Sequence, residues 1–183
     1  MKIKKLLFFA LLSLSLITGC DKKEEIGSDA IAQPIAKDIT LNLKTTTGDD
    51  LTVERKKGIW SFEQYPNKTV LVVFFATWCP PCKAEIPHLI NLQAKYGKDF
   101  QVISVLAEQN KPNEELANFI AEYKISYPVT NSDENFKFAD AVGGVDGIPA
   151  MFLFDKKGAI VMQYEGATQE EILDSDISKH IGK

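Results

Sequence analysis

The segment that most constrains the fold is a pair of cysteines at the junction of a buried strand and a helix. Residues 70–75 are continuously apolar, β-branched and aromatic, which is typical of a strand buried on both faces of a sheet. The sequence Cys79-Pro80-Pro81-Cys82 follows shortly after, and proline is favoured in the first turn of a helix, where its missing N–H would have no partner. The pattern therefore predicts a strand, a short turn and a helix that begins at the cysteines.

This placement gives the two thiols a chemical role. The Cys79 sulfur would lie at the helix N-terminus, where free N–H groups and the helix dipole favour an anion and lower the pKa of a thiol. The Cys79 thiolate is then predicted to attack a disulfide in a partner. Cys82, one turn further along, would attack the mixed disulfide and leave a Cys79–Cys82 bond. We interpret Cys79 as the nucleophile and Cys82 as the resolving cysteine.

Strands and helices alternate along the rest of the chain. Residues 38–55 alternate apolar and polar positions about a turn, which predicts a β-hairpin, and Trp60 and Phe62 are expected to cover one end of the core. The later patterns predict helices at 80–96, 114–124 and 133–142, strands at 100–106, 127–130, 150–154 and 159–164, and a last helix to about Lys179 that is capped by Thr168 and Glu171. This order is typical of an α/β sandwich.

The N-terminus has the layout of an export signal. Residues 1–5 carry three lysines, residues 6–17 are apolar apart from two serines, and the segment ends in Gly19-Cys20. The apolar part is shorter than the about 20 residues that span a bilayer, so a transmembrane anchor is the weaker interpretation. A small residue before cysteine resembles the lipobox of bacterial lipoproteins, which implies lipidation of Cys20. A plain cleaved signal with a spare thiol is the alternative.

The predicted organisation has three parts. Residues 1–19 form the signal peptide, residues 20–37 the lipidated cysteine and a polar tether, and residues 38–183 one folded domain. Removal of residues 1–19 takes away three lysines and no acidic residue, so the formal charge falls from −4 to −7. An acidic chain without a long basic block has no electrostatic footprint for nucleic acid. A nucleic-acid partner is therefore not expected.

Two motifs carry a family resemblance. Residues 72–87, which include Trp78 before the first cysteine and Pro87 five residues after the second, are similar to the active-site segment of the membrane-tethered thioredoxin-like proteins that include TlpA, ResA and CcmG. Downstream, Gly147-Ile148-Pro149 and the strand after it are similar to the cis-proline loop and final hairpin of that fold. The resemblance covers the chain from about Asp38 to its C-terminus.

The resemblance implies a fold and a substrate site. The fold would be a thioredoxin fold, a three-layer α/β/α sandwich with an N-terminal β-hairpin and a central αβ insertion. The Ile148–Pro149 bond would be cis, and its loop would pair with the extended backbone of a substrate. The residues implied to contact substrate are Trp78, Pro80, Pro81, Ile148 and Pro149. An apolar residue before the cis-proline resembles reducing thioredoxins more than strong oxidants.

The sequence departs from thioredoxin itself at one position. Where thioredoxin has a buried aspartate on the strand before the cysteines, this chain has Val73. Glu108 falls where ResA and CcmG proteins place an active-site glutamate, and it is either a desolvated carboxyl that exchanges a proton with Cys82 or a solvated acid at a strand end. Glu85, one helical turn after Cys82, is the weaker candidate for this proton exchange and is expected instead to be an exposed helix residue. His88 is expected to be a surface residue of the same helix.

The resemblance implies an extracytoplasmic thiol–disulfide oxidoreductase without a cofactor. It would be a monomer in the bacterial cell envelope, anchored by lipid and facing the periplasm or extracytoplasmic space. It would reduce protein disulfides with electrons from a membrane thiol transporter of the DsbD or CcdA type, and apocytochrome c in cytochrome c maturation is the favoured substrate. Two alternatives stay open: a non-enzymatic tethered module that holds clients or copper, and an oxidant with a DsbA-like role.

Other chemistries of paired cysteines fit less well. A zinc site needs four ligands, and His88 and His180 are the histidines available beside the acids, so no metal site is predicted. Haem attachment needs histidine directly after the second cysteine, where this chain has Lys83. The spaced cysteine pair and distant histidine of thioredoxin-fold copper chaperones are missing. A peroxidase would need an arginine near its cysteine, and the chain has Arg55 alone.

Overall fold

The computed structural model describes residues 37–181. The predicted signal peptide, the lipidation site Cys20 and the tether as far as Ala36 lie outside these residues, as do Gly182 and Lys183. Across residues 37–181 we find no helix with the length and apolar character needed to cross a membrane.

The described chain contains two β-sheets and four α-helices. In chain order the elements are β1 (Ile39–Lys44), β2 (Asp50–Lys56), β3 (Ile59–Phe62), β4 (Thr69–Phe75), α1 (Pro80–Tyr96), β5 (Phe100–Leu106), α2 (Asn113–Glu122), β6 (Val129–Thr130), α3 (Glu134–Ala141), β7 (Ala150–Phe154), β8 (Ile160–Glu165) and α4 (Glu170–Ile181). The predicted elements are all present, with ends shifted by a few residues.

The larger sheet has the strand order β6-β5-β4-β7-β8. β4 pairs parallel with β5 and antiparallel with β7, and β8 is antiparallel to β7. Every residue of β4 and of β5 is buried, as expected of central strands with both faces covered. The cysteines therefore follow the carboxyl end of the central strand, at the edge of the sheet where ligands of α/β proteins commonly bind.

The two faces of this sheet are covered differently. Helices α1 and α4 pack on one face, through buried residues such as Leu89 and Leu173, and α2 extends this layer towards the β6 edge. Helix α3 and the smaller sheet pack on the other face. Phe138 of α3 is fully buried, with ring centroids 5.5 Å from Trp60 and 5.7 Å from Phe74. This aromatic contact fixes α3 below the loop that leads to Pro149.

The N-terminal part differs from the predicted hairpin. It is a three-stranded sheet, β1-β2-β3, because the segment with Trp60 and Phe62 pairs with β2. In this four-residue segment the two buried aromatic residues alternate with exposed neighbours, as in a strand. A segment this short does not predict a strand from its periodicity alone. Both residues do cover the core, as predicted.

The predicted cap of the last helix is wrong. Helix α4 begins at Glu170, and the backbone N–H of Thr168 donates to the carboxylate of Glu85 rather than to Glu171. The capping pattern predicted that the Glu171 side chain accepts the Thr168 N–H. In the structure, Glu85 of helix α1 accepts this N–H instead.

Candidate active site

Cys79 is the N-cap of α1. Its backbone is extended, with φ −84° and ψ 111°, and its sulfur accepts the backbone N–H of Cys82 at 3.3 Å. Pro80 and Pro81 occupy the first two helical positions and have no N–H. The first N–H of the helix is consequently that of Cys82, and it points at the Cys79 sulfur. The first turn contains no acidic side chain that would oppose a thiolate.

The two cysteines form a disulfide. Their Cα atoms are 5.3 Å apart. Each residue is 3% exposed. A partner disulfide therefore has to dock closely against the surface around Cys79 before it can reach the sulfur atom. Both predicted redox residues are thus joined across one helical turn at the helix N-terminus.

The proline loop lies against the first cysteine. The Ile148–Pro149 peptide bond is cis, as the family resemblance implied. Its position follows from the sheet register, because Ala150 at the start of β7 pairs with Phe74 near the end of β4. The Cys79 sulfur lies 3.8 Å from the carbonyl oxygen of Ile148. A substrate backbone that paired with this loop would carry its own sulfur next to Cys79.

An exposed apolar surface borders the cysteine pair. Trp78 is 66% exposed, and Pro80 and Pro81 are also exposed. Ile148 is half-buried, and Pro149 is buried beneath it. A large exposed tryptophan on a protein surface commonly marks a contact site. The five residues predicted to contact substrate therefore lie next to the sulfur atoms.

Two cavities flank the loop 143–148. One, of about 290 Å³, reaches between the ends of β4 and β5 and α3, and its lining includes Phe74, Leu106 and Phe136. The other, of about 190 Å³, lies on the opposite side of the loop beside Gln163 and Glu165 of β8. Gly143 and Gly144 have φ values of 115° and 99°, which other residues rarely adopt. The loop can therefore turn sharply between α3 and Pro149.

Glu108 holds the backbone just before the cysteines. Its side chain is 12% exposed, and its Oε1 accepts the backbone N–H of Thr77. The ammonium of Lys111 lies 4.0 Å from its Oε2. Of the two interpretations left open by the sequence, the largely buried carboxylate agrees with this environment better than the solvated acid. The carboxylate directly orients the turn that carries Trp78.

Glu85 is buried, so its prediction as an exposed residue is wrong. It is 1% exposed, its Oε2 accepts the N–H of Thr168 at 3.1 Å, and its Oε1 has no hydrogen-bond partner among the described residues. Loss of hydration raises the pKa of the Glu85 carboxyl, and the Thr168 hydrogen bond partly opposes this rise. The sequence did contain a signal, because Glu85 lies between Cys82 and Leu89 on the apolar stripe of α1.

Two other polar groups lie near this carboxyl. His88, one turn after Glu85, is half-buried rather than exposed, and its Nδ1 has no partner among the described residues. Tyr127 is buried, and its pKa is raised by loss of hydration and, to a smaller extent, by the negative charge of Glu85. Glu85 and His88 of α1, together with Tyr127 from the segment before β6, thus form a polar group that periodicity alone did not predict.

No acid replaces the missing aspartate on β4. Val73 is 2% exposed and packs in the core with Leu71 and Leu89. Among the described residues, Glu85 lies on the same helix as Cys82, one turn later, and Glu108 binds the backbone two residues before Cys79. Within residues 37–181, no group of three or more histidine, cysteine, aspartate or glutamate side chains is arranged to hold a metal ion.

Comparisons with known proteins agree with this geometry. The Redoxin family model matches residues 36–180. The chain is 28% identical over 118 residues to the thiol-disulfide oxidoreductase ResA of Bacillus thuringiensis subsp. konkukian, which covers 64% of this chain and 66% of that protein. It is 29% identical over 120 residues to the thioredoxin-like protein YneN of Bacillus subtilis, with 65% and 64% of the two chains covered.

Solved structures extend the likeness to the whole described fold. A thiol:disulfide interchange protein of the thioredoxin family from Chlorobium tepidum superposes with a TM-score of 0.62 at 25% identity, and covers 82% of this chain and 99% of that chain. The chain spans somewhat less than two thirds of the length of these curated relatives, 66% of ResA and 64% of YneN. The thioredoxin-like fold predicted from the sequence is therefore confirmed.

Proposed function

Because the chain belongs to the Redoxin family, and within it to the thioredoxin-like proteins of the TlpA, ResA and CcmG type, we propose that it is a thiol–disulfide oxidoreductase that acts through Cys79 and Cys82. The observation that carries this proposal is the position of the Cys79 sulfur, 3.3 Å from the Cys82 N–H and 3.8 Å from the Ile148 carbonyl oxygen. One contact stabilises a thiolate, and the other lies where a substrate backbone would pair.

The reaction transfers two electrons to the substrate. In the reduced protein the Cys79 thiolate attacks one sulfur of a substrate disulfide, so that the substrate S–S bond breaks and its other sulfur leaves as a thiolate that takes up a proton. Cys82, after loss of its proton, attacks the Cys79 sulfur of the mixed disulfide. The second substrate sulfur leaves and is protonated in turn. The substrate ends as a dithiol and the protein as the Cys79–Cys82 disulfide.

The composition of the first turn of α1 also favours a protein that reduces its substrates over one that oxidises them. A strong oxidant of this fold has a reduced form that is stabilised, which requires strong stabilisation of the first thiolate. Pro80 and Pro81 remove two of the N–H groups that would supply it. The Cys82 N–H is the donor to the Cys79 sulfur among the described contacts. The apolar Ile148 before the cis-proline adds no polar group on the other side.

The proposed setting is the bacterial cell envelope. The signal sequence and Cys20 support export and a lipid anchor, with the domain facing the periplasm or extracytoplasmic space as a monomer. Electrons would come from a membrane thiol transporter of the DsbD or CcdA type. The proposed substrates are exported proteins with a disulfide to be opened, and apocytochrome c is favoured because its haem-binding cysteines must be free.

The activity is tested with the lipidated protein in detergent. It should catalyse the reduction of insulin by dithiothreitol, and Cys79→Ala should abolish this catalysis. Cys20→Ser is the matched control, because Cys20 is outside the proposed site and its loss should leave the rate unchanged. Undiminished activity of Cys79→Ala would refute the proposal, and would favour the non-enzymatic binding module.

A redox titration of the cysteine pair tests the direction of electron flow. A reductant should have a potential near that of thioredoxin, about −270 mV, whereas a value near the about −120 mV of DsbA would favour the oxidant. The substrate is tested with an oxidised peptide that carries a Cys-x-x-Cys-His sequence. Its reduction should be faster than that of the same peptide with alanine in place of histidine, and equal rates would contradict the preference for apocytochrome c.

A further inference from the structure

Five lysines surround the end of the molecule opposite the cysteine pair. They lie in the turns at the edge where β4 and β5 begin and β7 ends, and we call this surface the basic end; its lysines are Lys57, Lys68, Lys98, Lys156 and Lys157. Lys57, Lys98 and Lys157 are exposed, and the other two are half-buried. The carboxylates of Asp38, Glu63, Asp99 and Asp155 lie among them, so the basic end carries five lysines against four acidic residues, within a chain whose predicted mature charge is −7.

Direct contacts bring these turns together. The Lys68 ammonium donates to the Gly97 carbonyl at 2.6 Å, and the Lys156 ammonium lies 3.9 Å from the Asp99 carboxylate. The backbone N–H of Trp60 donates to the Gly158 carbonyl at 2.9 Å, which joins the turn before β3 to the turn before β8. The Oδ1 atom of Asp155 accepts the backbone N–H groups of Lys157 and Ala159 in its own turn, at 2.9 Å each.

Apolar side chains are exposed at the same edge. Ile59, the first residue of β3, is 51% exposed, and Ile160, the first residue of β8, is 38% exposed. The Ile59 side chain lies against Gly158, two residues before Ile160. Exposed isoleucines within a lysine-rich surface have the chemistry of a membrane-interface site, where apolar groups enter the headgroup boundary and cations meet anionic lipids.

The folded domain also begins beside this surface. The Asp38 carboxylate accepts the backbone N–H of Lys57 at 2.7 Å, so the chain enters the domain next to the basic end. Sixteen residues separate Lys37 from the predicted lipidation site Cys20, and an extended segment of this length reaches about 50 Å. A lipid anchor at Cys20 would hold the domain at the membrane without determining which surface of the domain faces the bilayer. The charged surface nearest to the point of attachment is the one that can select an orientation.

The active-site end has the opposite charge. Its loops and strand ends carry Glu108, Asp146, Glu165 and Glu170, against Lys83 and Lys111. Strand β4 separates the two ends by its seven residues, about 20 Å. An anionic surface would therefore attract one end of the domain and repel the other.

We propose that the basic end docks on an anionic phospholipid bilayer and holds the cysteine pair facing away from it. The exposed lysines Lys57, Lys98 and Lys157 contact lipid phosphates, and Ile59 and Ile160 enter the headgroup boundary. A substrate in the aqueous space then has free access to Trp78 and Ile148. This proposal rests on the proposed membrane anchor, and it is independent of the reaction at Cys79.

Lysine footprinting tests the orientation in the full, lipidated protein. The protein is placed in vesicles of phosphatidylcholine, with or without phosphatidylglycerol, and is treated with a water-soluble acetylating reagent. Acetylation of Lys57, Lys98 and Lys157 should be about fivefold slower in the anionic vesicles, and high salt should remove the difference because it screens the charges. Exposed Lys44 and Lys124 serve as internal references whose rates should not change. Equal rates in the two kinds of vesicle, or equal protection of the references, would overturn the proposal.

Charge-reversal variants provide the second measurement. The double variant Lys57→Glu/Lys157→Glu should lose the protection of Lys98, whereas the matched variant Lys44→Glu/Lys124→Glu should keep it. Protection of Lys98 that survives in the first variant would also contradict the proposal. Insulin reduction by the same vesicles and the intact mass of the protein report the redox activity and the lipid on Cys20 separately, so a failure of the docking surface is distinguishable from a failure of the proposed function.

Discussion

The Glu85 carboxylate accepts the backbone N–H of Thr168 at 3.1 Å and thereby joins the helix that carries Cys82 to the loop before α4. The two residues are 83 positions apart in the chain. Glu85 lies on the same face of α1 as Cys82, one turn later, because residues three apart are neighbours on a helix. The active-site helix is therefore held by an ionisable side chain that has lost nearly all of its hydration.

The buried Glu85 carboxyl should make the stability of the protein depend on pH. Its pKa is raised in the folded state by loss of hydration, so the folded protein binds a proton there more tightly than the unfolded chain. This contribution to stability is fully present below the unfolded pKa of about 4.3 and is lost as the pH rises through the folded pKa. Glu85→Gln should remove this loss and raise the free energy of unfolding at pH 7, by about 1 kcal/mol, as measured by urea unfolding.

Glu114→Gln is the control for this measurement, because Glu114 is an exposed glutamate on α2. Its substitution should leave the difference in stability between pH 4 and pH 7 as it is in the unmodified protein. A Glu85→Gln variant with the same pH dependence as the unmodified protein would contradict the assignment to this carboxyl.

Glu108 should act on the cysteine pair through its charge as well as through its hydrogen bond to Thr77. We expect Glu108→Gln to keep a carbonyl acceptor for the Thr77 N–H and to remove the negative charge. The pH profile of Cys82 alkylation in the reduced protein should then shift, whereas Glu114→Gln, at an exposed glutamate on α2, should not change it. An unchanged profile for Glu108→Gln would show that this residue has a structural role alone.

Removal of the resolving cysteine should trap substrates. In Cys82→Ala, Cys79 still lies beside Ile148, but nothing attacks the mixed disulfide from within the protein. Disulfide-linked complexes should accumulate in cell envelopes. They should be visible on non-reducing gels and should dissociate when a reductant is added. They should be absent from Cys79→Ala, and equal amounts in the two variants would contradict the assigned order of attack.

Trp78 should contribute to the binding of protein substrates more than to the chemistry of the thiols. It is 66% exposed beside the cysteine pair, and exposed aromatic residues often dominate an interface. Trp78→Ala should raise the KM for insulin by about tenfold and leave the rate with a small-molecule disulfide nearly unchanged. An equal loss with both substrates would place the effect on the sulfur atoms instead.

Arg55 should stabilise the fold by joining three segments. Its guanidinium donates to the Ala141 carbonyl at the end of α3 and, at 3.0 Å, to the Lys37 carbonyl, and it lies 5.0 Å from the centre of the Trp60 ring. Arg55→Ala should lower the free energy of unfolding by about 2 kcal/mol, as expected for hydrogen bonds from a charged group. Lys56→Ala, which removes an exposed neighbouring cation, should cost much less, and a similar loss in both variants would contradict the bridging role.

Local patterns were sufficient for the strand–turn–helix junction at the cysteines. The apolar run of β4 and the two prolines after Cys79 depend on neighbours in the sequence, so they predicted the start of α1 and the pairing of the thiols correctly. The final helix was less predictable. Thr168 and Glu171 matched a local capping pattern, but Glu85 reached the Thr168 N–H from another element.

By itself, the sequence determined the position of the cysteine pair and the order of strands and helices, because hydrophobic periodicity, proline placement and cysteine spacing act over a few residues. The loop around Pro149 was implied by the family resemblance instead. Tertiary structure alone decided that Glu85 is buried, that Glu108 holds Thr77, and that five lysines from four separate turns share one end of the molecule. These relationships depend on the sheet register and on helix packing, which bring together residues far apart in the chain. The hydration of the Glu85 carboxyl and the charge of the basic end therefore depend on how the chain folds, and not on the neighbours of these residues in the sequence.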